Sequence, residues 1–430
     1  MRWPVLAMFA ALPLQWFVVG NTPLGIGRLH QLALLAFAAA VLARYRVRAH
    51  GPVLRIAMPF IAANVCILLI WLATSIFHGE QPFGPVQQAI YLGVFVAVGT
   101  VIYRAACGTE PRLLEALRWT AAAAGASVIL GLTYSMLANG VNPAQVFSQT
   151  IATANPELLQ KEVFRSAFTG FGFDEETVRG NIRHEVFGAV LASMYVAAWA
   201  SRLRPFTRSG PRFLFHASLV VCTLLLLVSM SRSILVAALA WPLIGFLRSA
   251  VTFRLSGRQV VLAYTAVATF MLALASGFAS VLWVRFTEDT SSYEAREGLY
   301  DLAYNNIADH FFTGGVETAG ESSHNFVLDT WLRTGVFGAL AALVVLLVLI
   351  GLWASLIVRI GTEPAWMVPV TAAMALPVVR LLTAGGGLIP PIEWVLLGFV
   401  AGAMAYRQTL AAAPPAPEVD ERSDAKAAHG

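Results

Sequence analysis

The sequence predicts an all-α, polytopic integral membrane protein of about 12 transmembrane helices. Of its 430 residues, 58% are hydrophobic and only 12% are charged. The apolar residues fall in runs long enough to cross roughly 30 Å of hydrocarbon. The charges between those runs alternate in kind, with most of the 29 lysines and arginines on one set of connections and the acids concentrated on the other. That asymmetry is the positive-inside pattern, so the formal net charge of +5 reads as orientation and leaves no basic patch for nucleic acid.

The first run, WPVLAMFAALPLQWFVVG after Arg2, resembles a signal peptide in length, but no clean cleavage site follows it. It reads as a first span near 4–20, with the amino terminus inside. Spans at 29–43, 56–77, 84–103 and 119–138 complete an amino-terminal block over 1–138. Arg44, Arg46, Arg48, Arg55, Arg104, Arg112 and Arg118 mark its inner turns. Beyond a long connection at 139–184, residues 185–283 hold spans at 185–201, 213–230, 233–247 and 260–283. Arg202, Arg204, Arg208, Arg212, Arg248, Arg254 and Arg258 then fall inside. A second long connection, 284–334, leads to spans at 335–358, 366–382 and 389–406. The tail over 407–430 is rich in Ala, Pro and charge and is expected to be disordered. An even number of spans puts both termini on the inner side.

Long connections in an otherwise tightly connected chain are usually functional or disordered, and these two mix aromatic residues with charge, which favours order. In the first, Asn155 with Pro156 and Asp174 with its following acids are helix openers. In the second, Ser291 or Ser292 followed by Glu294 and Glu297 caps a helix through about Ile307. Gly314 and Gly315 then make a turn, a second helix starts near Ser323, and Gly335 separates it from the next span. Cys66 and Cys222 fall within two spans and Cys107 just beyond the end of a third, where they serve as small apolar residues, and neither a disulfide nor a metal site is expected.

Polar groups near hydrocarbon are costly, so those on the outer side are candidates for function. Ser231-Arg232-Ser233 occupies a very short outer turn, where Arg232 either snorkels and caps carbonyls or binds an anion. Arg296 sits among acids in YEAREGLYDLAYNNI, which equally suits a solvated ion pair. His324 and Asn325 open the run HNFVLDTWLRTGVFG; the imidazole can move a proton near neutral pH, and the amide can cap a helix or position a substrate hydroxyl. Arg380 ends span eleven before Gly385, Gly386 and Gly387, with Glu393 as its possible partner. Arg179, Arg183, His184 and Lys161 add outer positive charge. Several arginines and one histidine on one side suit a lipid diphosphate, because guanidinium forks grip phosphate oxygens and keep their charge.

These residues carry a resemblance. The order SRS at a span junction, an arginine-bearing helix ending in HFFTGG, then SHNFVLDTWLRTGVFGAL entering a span, resembles the O-antigen ligase and O-antigen polymerase superfamily over about 225–350. It implies a metal-independent, inverting membrane glycosyltransferase of GT-C-like architecture, without cofactor, in a bacterial inner membrane. The two long connections become periplasmic loops carrying short helices. The donor would be a glycan on undecaprenyl diphosphate, and the acceptor a lipid A core or a lipid-linked repeat unit. Arg232 and Arg296 match the family's diphosphate-contacting arginines, and His324 matches its base. Asn325, Arg380, Arg183 and Ser231 are the expected substrate-binding residues. No Asp-x-Asp motif occurs, so the arginines would neutralise the diphosphate. Ligase and polymerase share the donor and differ in the acceptor. Transfer to protein hydroxyls and transport of the lipid-linked glycan are the other classes considered, the last disfavoured by the lack of two repeated halves.

Overall fold

The structure is a computed structural model that describes residues 1–19, 27–80, 82–138, 140–153, 181–229, 231–253, 257, 291–315, 325–383 and 391–412. The described elements are helices, joined by one isolated antiparallel bridge between Val18 and Arg28. In chain order they are α1 (Arg2–Ala11), α2 (Leu29–Arg44), α3 (Gly51–Phe77), α4 (Phe83–Ala106), α5 (Pro111–Arg118), α6 (Thr120–Ala138), α7 (Pro143–Thr153) and α8 (Asn181–Leu203). They continue with α9 (Ser209–Val228), α10 (Arg232–Val251), α11 (Ser291–Asp309), α12 (Phe326–Val358), α13 (Met367–Ala373), α14 (Ala375–Thr383) and α15 (Pro391–Ala412).

Among the described residues, 8 helices are long and apolar enough to cross a membrane, and the architecture is that of a helical membrane protein. Burial sorts these helices into two classes. The best apolar window of α8 is 83% buried, and those of α4 and α15 are 56% buried, whereas those of α3, α9, α10 and α12 are only 17–28% buried. A helix that is apolar all round must find either protein or lipid on every face. The outer helices expose Leu69, Phe213, Leu224, Leu243, Phe246, Leu343 and Leu347, a surface that suits acyl chains and would be a liability in water.

The inner helices approach closely through small residues. A Cβ added to Gly398 of α15 would lie 2.6 Å from the Phe95 carbonyl oxygen of α4, and Gly402 one turn later faces the Gly99 carbonyl oxygen. This small-xxx-small spacing lets two backbones touch where no hydrophobic force separates protein from lipid.

The expectation of about twelve spans is met only in its coarse form. The first span, expected over 4–20, is a ten-residue helix that ends at Ala11. Pro13 lacks the N–H that would continue it, and residues 17–19 instead run beside 27–29 in extended pairing. α2 has 16 residues, about 24 Å, which is short of the hydrocarbon thickness. Span 366–382 is realised as α13 and α14. The break at Met374 follows from Pro377, which cannot donate to the Ala373 carbonyl. Span 260–283, the helix openers Asn155 and Asp174, and the tail beyond Ala412 lie outside the described residues. α15 itself continues past Arg407, where the tail was expected to begin.

One end of the bundle is tied by arginines. Glu363, in the link from α12 to α13, is 2% exposed and takes Arg407 of α15 in a two-point pair, Nε to Oε2 and Nη2 to Oε1, both at 2.5 Å. Arg248 at the end of α10 donates from Nη2 to the Glu363 carbonyl at 2.9 Å, and Arg202 of α8 donates to the Ala365 carbonyl at 2.8 Å. At this same end the Tyr45 hydroxyl donates to Glu110 at 2.8 Å. Burial, then that hydrogen bond and the carboxylate charge, raise the phenol above its ordinary range.

The segment before the last spans forms a small module of its own. α11 packs Ala303 and Ile307 on Leu328, Trp331 and Leu332 of α12. Phe311 stacks edge-on against Trp331 at 5.1 Å and accepts its indole N–H at 3.1 Å. The module rests on the end of α3, with the Arg333 guanidinium 5.5 Å from the Trp71 ring. Within α12 the helix is interrupted at Gly335, the residue expected to separate the loop helix from the span; its φ of 72° and ψ of −173° are open to glycine alone. A Cβ there would also press into the Phe312 carbonyl. Gly335→Ala is therefore expected to cost about 1–3 kcal/mol. Limited proteolysis of the variant should show faster cutting between α11 and α12 if the module loosens as expected.

Candidate functional site

The end of the bundle opposite the Glu363 cluster gathers polar groups that composition alone would place in lipid. Gly188 of α8 marks the junction: a Cβ added there would meet Leu376 of α14 and Ile392 of α15 at 3.5 Å, and Ile234 of α10 at 3.6 Å. Within about one turn of these contacts the four helices carry His184 and Glu185, Arg380, Glu393, and Ser231 with Arg232.

Arg380 is 6% exposed and Glu393 is not exposed at all, and their Nη1 and Oε1 atoms lie 3.0 Å apart. Arg380 is thus an internal ion-pair member, and the partner expected from sequence is the one found. Among the described residues the Arg380 Nε and the second Glu393 oxygen have no hydrogen-bond partner. Buried charge with unspent hydrogen-bonding capacity is expensive and calls for a reason. Glu185 lies in the electrostatic field of Arg380 and Arg28 and close to Glu393. Arg28 adjoins α2, whose Gln31 donates to the Tyr91 hydroxyl at 3.5 Å, and Gln87 donates to the same oxygen at 2.8 Å. The junction therefore extends as a polar seam from α8 and α15 to α2 and α4.

Ser231 is 3% exposed and stands at the N-cap position of α10 in an extended backbone conformation, with φ of −85° and ψ of 116° and no side-chain capping bond. Its hydroxyl lies 2.5 Å from the His184 Nδ1 and 3.5 Å from the Ser233 hydroxyl, and its N–H donates to the Ser229 hydroxyl at 3.3 Å. Arg232 is the first residue of α10 and half-buried. The turn between α9 and α10 is as short as the sequence requires, and it is held by serine hydroxyls. An arginine at a helix start sits against the macrodipole, so its placement there asks for an anion or an acid nearby.

Asn325 is the N-cap of α12, and its Oδ1 accepts from Val327 N–H at 3.0 Å and Leu328 N–H at 3.2 Å. Of the two roles expected for the amide, capping is the one in use by its oxygen. The cap fixes where the described helix begins, at Phe326. Phe326 is buried in the main core, and α12 packs on α3 and touches α14, the helix of Arg380.

The remaining expected residues divide differently. His324 lies outside the described residues. Arg296 falls within α11, about two turns before Ala303, and Arg183 falls within the first turn of α8; their side chains lie outside what is described. Arg183 and His184 thus belong to a helix and not to the long connection in which they were expected. The chain continues helically because VFGAVLASMYVAAWA follows without a breaker. Among the described residues the structure places Ser231, Arg232 and Arg380 at the same end of two packed helices, α10 and α14. To these it adds His184, Glu185, Glu393, Arg28 and Tyr91, of which the sequence marks only His184 as loop charge and Glu393 as a partner. No group of His, Cys, Asp or Glu among the described residues is arranged to hold a metal ion.

Comparison of the chain with protein-family models, with curated proteins and with solved structures finds no match.

Proposed function

We propose that the chain is a membrane glycosyltransferase of the O-antigen ligase type, acting on a glycan carried by undecaprenyl diphosphate at the periplasmic face of a bacterial inner membrane. The observation that carries the reading is the junction of α8, α10, α14 and α15, where Arg380 of α14 is buried beside Glu393 of α15 and the half-buried Arg232 opens the adjoining α10. A lipid diphosphate entering sideways between helices needs such a cluster, because fixed cations in a dry site stabilise the charge that grows on the leaving group.

In this reading Arg232 and Arg296 hold the diphosphate. His324, directly before the cap of α12, takes the proton of the acceptor hydroxyl as its oxygen attacks the anomeric carbon. The bond to the diphosphate oxygen breaks with inversion, and the lipid diphosphate departs as an anion held by the arginines. Ser231 and Arg380 line the donor side, while Asn325 fixes the helix that presents His324. The lipid A core is the proposed acceptor. Both termini then lie in the cytoplasm, and the Glu363 cluster marks the cytoplasmic end.

The test is the product made by the purified chain in lipid nanodiscs from undecaprenyl-diphosphate-linked glycan and lipid A core. Transfer to the core supports the ligase reading. Extension of a second lipid-linked repeat unit makes the chain a polymerase using the same donor site, and absence of any new glycosidic bond overturns the enzymatic reading. Arg232→Lys keeps the charge and loses the planar fork, so transfer should fall by at least about tenfold if the fork grips the diphosphate. Wild-type transfer by that variant would reduce Arg232 to a snorkelling residue.

A further inference from the structure

The opposite end of the bundle holds a second collection of arginines, and unlike the Glu363 cluster it surrounds open space. A cleft of about 420 Å³ lies between the end of α5, the end of α8 and the start of α9. Arg118, Arg204 and Arg208 line it together with Phe206, Thr207 and Pro211. It sits where one apolar helix, ending at Leu203, gives way to the next, starting at Ser209, which is the level of a membrane surface.

The arginines here are poorly matched by acids. Arg118 lies with its guanidinium 4.7 Å from the Phe206 ring, and its Nε is buried without a hydrogen-bond partner. Burial and the neighbouring Arg204 both weaken its hold on its proton, with Glu115 the one acid acting the other way. Arg204 and Arg208 are exposed. Arg208 also precedes the first turn of α9, a 20-residue helix, and Pro211 of that turn lines the cleft, so unpaired backbone N–H groups add to the positive field. Like charges held together around a cavity are unfavourable unless an anion joins them, and guanidinium forks on an aromatic wall suit phosphate oxygens.

We propose that this cleft is a binding site for a phosphate-bearing anion, separate from the glycan chemistry at the other end. A phospholipid headgroup of the adjoining leaflet and a soluble phosphate offer the same chemistry, and the test distinguishes them. Native mass spectrometry would count phosphatidylglycerol and phosphatidylcholine retained by the full-length protein. Thermal unfolding with millimolar inorganic pyrophosphate would probe the soluble source.

For a lipid site the wild type retains phosphatidylglycerol over phosphatidylcholine by about tenfold or more, and the Arg118→Gln, Arg204→Gln, Arg208→Gln triple variant loses the preference. For a soluble anion, pyrophosphate raises the unfolding temperature of the wild type and not of the triple variant. Arg44→Gln with Arg48→Gln, outside the cleft, should behave as wild type in both assays. If the triple variant does not fold, Arg204→Gln and Arg208→Gln singly, both at exposed positions, should each weaken the response. Equal retention of the two lipids with no effect of pyrophosphate on the wild type would overturn the proposal, as would an unchanged response in every arginine variant that folds.

Discussion

Replacing His324 with alanine is expected to lower glycan transfer by about 100- to 10,000-fold, the usual contribution of a positioned general base. The same substitution should leave membrane insertion and unfolding unchanged, and the reason lies one residue later. The entry of α12 is fixed by Asn325, whose side-chain oxygen accepts from Val327 and Leu328, and by Phe326, which is fully buried. Asn325→Ala is the matching control: it removes the cap and should cost about 1 kcal/mol of stability. A transfer assay in nanodiscs, read beside an unfolding midpoint for both variants, separates the two roles. Full transfer by His324→Ala would remove the base assignment and leave proton removal to another group, with His184 and Glu185 the titratable candidates at the junction.

Much of the architecture was legible because apolar run length and charge punctuation are strong signals. The ends of α9 and α10 fall within a few residues of expectation, and the Ser231 turn is as tight as the two flanking runs demand. The kink at Gly335 and the turn at Gly314 and Gly315, all with positive φ, were readable for a similar reason, since only glycine accepts that backbone cheaply. The pairing of Arg380 with Glu393 could be anticipated from two opposite charges facing one another across a glycine-rich turn between apolar helices.

What sequence reasoning missed depends on tertiary contact. His184 ends the connection expected over 139–184 and Glu185 opens the span expected at 185–201, so neither reads as part of a buried site. Packing against α10, α14 and α15 extends the helix through them and turns surface charge into a buried seam. A carboxylate immediately before sixteen residues without a charge was the available signal. Arg28, Gln31, Gln87 and Tyr91 gave even less, because amides and a phenol in apolar helices have no period that reveals their common destination. The failure at 4–20 has a local cause, Pro13, which hydropathy averages away.

Removing one member of the Arg380–Glu393 pair is expected to be among the most destabilising changes available at this site. With side chains 6% and 0% exposed, either survivor would be an uncompensated charge in the protein interior, and breaking such a pair costs about 3–5 kcal/mol. Arg380→Met and Glu393→Leu should each lower the unfolding midpoint in mixed detergent micelles by a corresponding amount. The double variant should recover most of the loss, since a well-packed apolar pair spares both desolvation penalties. Stability and function should then part company. If Arg380 only holds helices together, the double variant regains glycan transfer along with its stability. If its guanidinium also faces the diphosphate, a role for which its Nε has hydrogen-bonding capacity left, the double variant is stable and transfers little. Failure of the double variant to recover stability would mean that the pair is coupled to Glu185 and Arg28 as a four-member network, and the cycle would then have to be closed on those two residues.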